Sequence, residues 1–198
     1  MRRLIFASNN KHKAEEIKSI LNHVFQIVTL KEAGIDIDIP EPHETLEENA
    51  SEKSRVIFEM TQSDCFSEDS GLEVYALGGA PGVRSARYAG EQSNDTNNIA
   101  KLLREMNGIE NRQACFKTVI SLIIDGNEFL FEGRCEGHIT KEINGNNGFG
   151  YDPVFLPDGQ EKTFAQMSMQ EKISLSHRKK AVEKMAQFLN EMASPTKP

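Results

Sequence analysis

Five short polar motifs collect the residues of this chain suited to chemistry. They are Ser8-Asn9-Asn10-Lys11-His12-Lys13, Glu68-Asp69-Ser70-Gly71-Leu72, Gly78-Gly79-Ala80-Pro81-Gly82, Gly148-Phe149-Gly150-Tyr151-Asp152-Pro153, and Lys172 followed by Ser176-His177-Arg178. Each is weak alone. In this order they supply phosphate cradles, carboxylates for a metal, an aromatic platform for a base, and donors to read that base. A purely structural protein has no need of the full set, so the sequence points to an enzyme acting on nucleotides.

In the first motif Ser8 and Asn10 offer side-chain donors, the backbone offers N–H groups, and Lys13 places a charge on the first turn of an expected helix. A lysine there opposes the helix dipole unless an anion lies nearby. Taken alone, the segment also reads as an ordinary Asn-rich helix start with solvated lysines.

Glu68 and Asp69 are expected at a strand end, before a glycine turn. Such a pair can hold Mg²⁺ and orient a water, because Mg²⁺ takes one or two protein carboxylates and completes its shell with phosphate oxygens. Neighbours on an extended chain point to opposite sides. Glu68 and Asp69 should therefore not share one metal face, and a second carboxylate should come from the acidic segment that contains Glu41 and Glu44. Lys53, on the following helix, lies within reach of the same place.

Phe149 stands between two glycines, which expose its ring and let the backbone approach a ligand. Such an aromatic suits base stacking, although a core anchor fits the same pattern. Asp152 precedes Pro153 and is expected to be extended, its carboxylate placed to accept from a ring N–H. His177 and Arg178 open a helix against its dipole and can donate to a carbonyl oxygen on a base edge.

The elements that must position these residues are legible in outline. Leu4-Ile5-Phe6-Ala7 reads as a buried strand, and residues 11–21 as a helix with Ala14, Ile17, Ile20 and Leu21 on one face. A loop that leaves a strand and opens a helix is where α/β proteins place phosphates. Residues 25–30 read as a second strand. Thr45 and Glu48 form a capping box for a helix that runs to about Met60. Cys65-Phe66-Ser67 ends a third strand, and residues 78–90 form an irregular glycine-rich loop. A helix is expected over 97–106. Two long strands, 112–124 and 128–140, are joined at Asp125-Gly126 in a hairpin that extends as a platform or dimer surface. Ser168 and Glu171 form another capping box, Ser176 caps the last helix, and the tail from Ala193 is frayed. The fold class is α/β, with one elongated mixed β-sheet flanked by helices.

Composition narrows the function. The 198 residues suit one or two domains and can bury a real core. No stretch approaches a membrane span, and the apolar run at the N-terminus is too short for a signal peptide, so a cytoplasmic protein with no membrane partner is expected. A formal net charge of −7 argues against binding long nucleic acid, yet a local cluster of Lys, Arg and metal still accommodates a small polyanion. Cys65, Cys115 and Cys135 read as reduced, structural thiols.

From Leu4 to about Leu189 the chain resembles the inosine triphosphate pyrophosphatase family. Gly79-Ala80-Pro81-Gly82, Ser85-Ala86-Arg87-Tyr88, Gly148 to Pro153 and Ser176-His177-Arg178 stand as that family has them. The bacterial members that act on dITP and XTP are most similar. The resemblance implies a single domain over residues 1–198, two lobes around a central substrate cleft, a homodimer, and a Mg²⁺ requirement. It implies hydrolysis of the α–β phosphate bond of non-standard purine nucleoside triphosphates, giving a monophosphate and pyrophosphate. Carried onto this chain, Ser8, Asn9, Asn10, Lys11, His12, Lys13 and Lys53 hold phosphates. Asp69 is the proton acceptor and, with Glu41, serves the metal. Ser70, Phe149, Gly150, Tyr151, Asp152, Lys172, His177 and Arg178 contact the substrate. Ser8 stands where Thr is common, and Glu68 where many bacterial members have Asp.

Two rival readings remain at this level. One is a pyrophosphatase for modified pyrimidine triphosphates. The other is a nucleotide-binding regulator without turnover, which would need no metal carboxylates.

Overall fold

The computed structural model describes residues 2–21 and 25–193. They form two compact units, Met1–Asp69 with Thr118–Gly133 and Arg178–Pro198, and Ser70–Lys117 with Arg134–His177. Among the described residues, seven strands make one mixed sheet of order β2 (Gln26–Thr29), β1 (Arg3–Phe6), β3 (Cys65–Val74), β5 (Gln113–Ile124), β6 (Asn127–Ile139), β7 (Phe155–Pro157), with β4 (Pro81–Gly82) paired to β3. Strands β3 (Cys65–Val74), β5 (Gln113–Ile124) and β6 (Asn127–Ile139) contribute residues to both units.

The first unit grows from β1 (Arg3–Phe6), which pairs in parallel with β2 (Gln26–Thr29) and with β3. Side chains alternate across a strand, and here both faces are buried. Leu4 and Phe6 join a core with Ile17 and Leu21 of α1 (Lys11–Leu21) and with Val182, Met185 and Leu189 of α5 (His177–Ala193). Ile5 and Ala7 face the other way, toward Ile57 of α2 (Leu46–Thr61) and Cys65. Phe6 and Phe66 stack across the parallel pair at 4.9 Å. This two-sided burial is why the β1 run is uniformly apolar.

Thr45 caps α2 as expected, its hydroxyl accepting from the Glu48 N–H. The return arm differs from the usual box, because the Glu48 carboxylate accepts from the Thr45 hydroxyl at 2.8 Å. The hairpin turn has φ of 50° at Asp125 and 78° at Gly126, the left-handed pair that lets the flanking strands keep their twist. The hairpin does not extend as a free platform. Ile120, Leu122 and Ile124 belong to the core, and Phe129 and Phe131 pack against it.

In the second unit, Leu72, Val74, Ile99, Leu102, Phe116, Phe155 and Phe164 are core residues. Phe155 lies in β7 (Phe155–Pro157), which pairs antiparallel with β6. Gly137 permits that pairing, since a Cβ there would stand 2.4 Å from the Leu156 carbonyl oxygen. Helix α3 (Asp95–Glu105) starts two residues earlier than expected because Asn94 caps it. Ser168 and Glu171 form the expected box for α4 (Met169–Leu175). The glycine-rich loop holds a two-residue strand, β4 (Pro81–Gly82), and short 3₁₀ turns.

All three cysteines are buried thiols outside any disulfide, and burial pushes the Cys65 and Cys115 thiols up to about 12. They match the expected inert, reduced thiols. The end of the tail, 194–198, lies outside the described residues. Among the described residues, no helix is long and apolar enough to cross a membrane.

Candidate active site

The first unit gathers charge around the middle of β3. The sequence predicts a strand end at Ser67, but β3 runs on through the acidic pair to Val74. Glu68 and Asp69 therefore lie within a strand, and the alternation of side chains separates them. Glu68 accepts from Arg178 and lies 3.3 Å from the Lys13 ammonium, while Asp69 accepts from Lys53. The two carboxylates thus meet different cations, Arg178 and Lys13 for Glu68 and Lys53 for Asp69.

Lys53 reaches β3 from the buried face of α2, alongside Ala50, Ser54 and Ile57. Its ammonium donates to Glu41 Oε1 at 2.6 Å, to Asp69 Oδ1 at 2.9 Å and to the Glu68 carbonyl oxygen at 2.9 Å. The structure thus brings Glu41 to Asp69, while Glu44 is exposed. Burial lowers the Lys53 pKa, but the charges of Asp69 and Glu41 outweigh it and hold the ammonium above its ordinary value. Burial lifts Asp69 above the usual carboxylate range against the pull of Lys53 and Lys13. A raised carboxylate is a better proton acceptor than a solvated one.

Among the described residues, no group of three or more His, Cys, Asp or Glu side chains gathers as a metal site. The pair Glu41 and Asp69, with the Glu68 carbonyl oxygen, nevertheless converges on one positive centre. Hard oxygens in that number fit a Mg²⁺ ion that takes its remaining ligands from phosphate and water.

The loop before α1 is shaped by its own polar side chains. The Asn9 amide donates to the Ile37 carbonyl oxygen at 2.9 Å, Ser8 Oγ accepts from the Asn10 N–H, and Asn10 Oδ1 caps the helix at the Lys13 N–H. Helix α1 has no acidic residue in its first turn, where Lys11, His12 and Lys13 stand. Lys11 and His12 are exposed and Lys13 is half-buried. Basic side chains added to the positive end of a helix favour an anion there.

Arg178 is the largest fully buried side chain among the described residues. Its Nε and Nη2 donate to the two Glu68 oxygens at 2.7 and 2.9 Å, and its Nη1 donates to Glu16 of α1. The sequence predicts Arg178 as a donor to a base edge; the fold gives it Glu16 as a second carboxylate partner. Nothing local marks Glu16, because its partner comes from the other end of the chain.

The second unit holds the aromatic set. Asp152 Oδ2 accepts from the Phe149 N–H at 3.0 Å and from Lys172 at 2.7 Å. Asp152 was expected to be extended, but it begins a 3₁₀ turn, Asp152–Val154, with Pro153 early in the turn. The fixed φ of proline suits that position and outweighs its bias on the preceding residue. A Cβ on Gly148 would stand 2.0 Å from Asp152 Oδ2, and Gly148 has φ +78°, so only glycine fits. Phe149 is half-buried, with the Lys172 ammonium 4.5 Å from its ring centroid.

Gly150 donates its N–H to Asp95 at 2.7 Å. Tyr151 is buried in the core, and its hydroxyl donates to the Ser85 carbonyl oxygen at 2.9 Å. That contact anchors the loop. His177 is buried and stacks on Phe116 at 4.8 Å. Ser70 is half-buried at the start of the unit. Asp95 and Ser85 were not foreseen as supports; the acidic first turn of α3 was the available signal for Asp95.

Fold and site together define an α/β protein with a buried, preorganised cluster of carboxylates and ammonium groups and a separate glycine-framed aromatic loop. Residues 4–188 match the Ham1 family model. The chain belongs to the Ham1 family. It is 50% identical over 185 residues to a dITP/XTP pyrophosphatase of Flavobacterium psychrophilum, covering 93% of this chain and 97% of that one. It is 48% identical to a dITP/XTP pyrophosphatase of Porphyromonas gingivalis, over 96% of this chain and 98% of the relative. Among solved structures, the Ham1 protein of Staphylococcus aureus superposes with a TM-score of 0.88 at 38% identity, covering 96% of this chain and all of that one.

Proposed function

We propose that this chain hydrolyses non-standard purine nucleoside triphosphates, dITP, ITP and XTP, to the monophosphate and pyrophosphate with Mg²⁺, as a cytoplasmic homodimer that cleanses the nucleotide pool. The observation that carries the reading is the convergence of Glu41, Asp69 and Lys53 in the unit that also carries the basic start of α1. The names of the relatives supply the substrate class.

A triphosphate resists hydrolysis because its anionic oxygens repel a nucleophile. Lys13 and Lys53 offset that charge, and the N–H groups at the start of α1 add donors. Asp69 orients a water and takes its proton as the water oxygen attacks the α-phosphorus. The bond from the α-phosphorus to the oxygen bridging to the β-phosphate breaks, and pyrophosphate leaves with that oxygen. A bound Mg²⁺ would neutralise phosphate oxygens and stabilise the leaving pyrophosphate. Most of the rate then comes from positioning and electrostatics. Phe149, Asp152, Lys172 and His177 take the base, and Arg178 supports recognition from its place on Glu68.

The test is a screen of purified protein against nucleoside triphosphates with pyrophosphate as the readout, with and without EDTA. Pyrophosphate from dITP, ITP and XTP that vanishes with EDTA is expected. Binding of these nucleotides without release would instead favour a regulator, and preference for pyrimidine triphosphates would overturn the substrate class.

A further inference from the structure

Lys53 is fixed far more tightly than a lysine that simply waits for phosphate. An ammonium has three N–H donors. All three are taken, by Glu41 Oε1, Asp69 Oδ1 and the Glu68 carbonyl oxygen, at 2.6 to 2.9 Å. The Lys53 and Asp69 side chains are each 8% exposed, so little water screens the contact. These are also the oxygens assigned above to the divalent cation. One set of oxygens cannot fully serve an ammonium and a metal ion together, because two cations crowded on one buried carboxylate repel each other.

We propose that Lys53 is a competing counter-ion of the metal site. It is the resident cation of Glu41 and Asp69 until a divalent ion takes that pair, and its ammonium then passes to the substrate's polyphosphate. The inference rests on the metal-dependent reading above and adds a coupling to it. With both carboxylates ionised, Glu41, Asp69 and Lys53 carry a net charge of −1, from two negative groups and one positive. A divalent ion balances both carboxylates by itself and leaves the lysine charge for phosphate oxygens. Metal and triphosphate therefore bind cooperatively, each favouring the state in which Lys53 has left Asp69. Without nucleotide, the apparent metal affinity is reduced by the small fraction of time the pair is not held by Lys53.

Lys13 is the natural control. It bears on Asp69 electrostatically, but its ion pair, at 3.3 Å, is with Glu68. Removing it changes the local charge without vacating the Glu41–Asp69 pair.

The experiment measures Mn²⁺ binding to nucleotide-free full-length protein by paramagnetic resonance, in wild type, Lys53→Met and Lys13→Met. Lys53→Met should bind Mn²⁺ at least about tenfold more tightly than wild type. Lys13→Met should differ by less than about threefold, since its partly exposed charge is better screened. Thermal melting in EDTA checks folding. Should Lys53→Met not fold, Lys53→Gln, which keeps a donor toward the carboxylates, must show the same gain. Equal gains in the Lys53 and Lys13 variants would mark a general charge effect and overturn the proposal, as would no gain at Lys53. If wild type still releases pyrophosphate from dITP only with a divalent ion, such a result removes this inference alone. If none of the proteins binds Mn²⁺, the metal reading falls and the inference with it.

Discussion

Arg178 grips Glu68 with two parallel N–H···O bonds of 2.7 and 2.9 Å, across 110 residues of sequence and with neither side chain appreciably exposed. Glu16 takes Nη1 of the same guanidinium. The fork matches a carboxylate in plane and spacing, which lysine cannot reproduce. One cation thereby ties α1, β3 and the start of α5 together inside the first unit.

Removing that cation should therefore cost stability before it reports on catalysis. Arg178→Ala removes the guanidinium from buried Glu16 and Glu68, leaving Lys13 near Glu68, and breaking a buried pair in this way costs about 3–5 kcal/mol. Urea unfolding should show the loss, and Arg178→Lys should recover only part of it. Unchanged stability in Arg178→Ala would mean that the cluster is not structural.

Asp69→Asn should lower turnover of dITP by at least about two orders of magnitude, the range of a lost general base. In the metal-free protein, where Lys53 holds Asp69, burial raises the Asp69 pKa. The folded chain binds this proton more tightly than the unfolded one, so the Asp69 contribution weakens as pH rises from the unfolded to the folded value. Asp69→Asn should accordingly keep its melting temperature at neutral pH. A folded variant with near-normal kcat removes Asp69 from the catalytic role.

Gly148→Ala tests the aromatic loop. The new methyl would meet Asp152 Oδ2 at 2.0 Å on a backbone with φ +78°, so Asp152 must release either the Phe149 N–H or Lys172. Strain of this kind costs about 1–3 kcal/mol. The KM for dITP should rise by at least about tenfold, in line with that cost. An unchanged KM in steady-state kinetics would show that the loop does not bind the base.

Selectivity should lie at the six-position of the purine. In the proposed reading His177 is the donor that suits a 6-oxo group, with Arg178 acting only from its place on Glu68, whereas adenine presents an amino group there. A site that leaves polar groups unpaired rejects an analogue by about 10⁴-fold or more. ATP should accordingly be a very poor substrate beside ITP, and similar kcat/KM values for the two would overturn this assignment.

Much of the scaffold was legible because its signals are local. The β1 run, the period of α1, the caps at Thr45 and Ser168, and Asp125-Gly126 each depend on residues a few positions apart. Strand alternation alone separated Glu68 from Asp69. Glycine spacing marked the Phe149 loop, although the turn at Asp152 was misread because Pro153 acts on its own conformation as well as its neighbour's.

Tertiary structure alone decided which charges meet. Glu41 and Glu44 are equivalent on paper, and only the path of the acidic segment puts Glu41 on Lys53. Lys53 reads as a surface lysine until α2 packs its buried face on β3. Arg178 reads as a solvated helix start until Glu16, 162 residues away, closes on it. Residue types and periods follow from near neighbours, whereas the partner of a buried charge depends on which strands and helices lie together, and no short-range pattern encodes that.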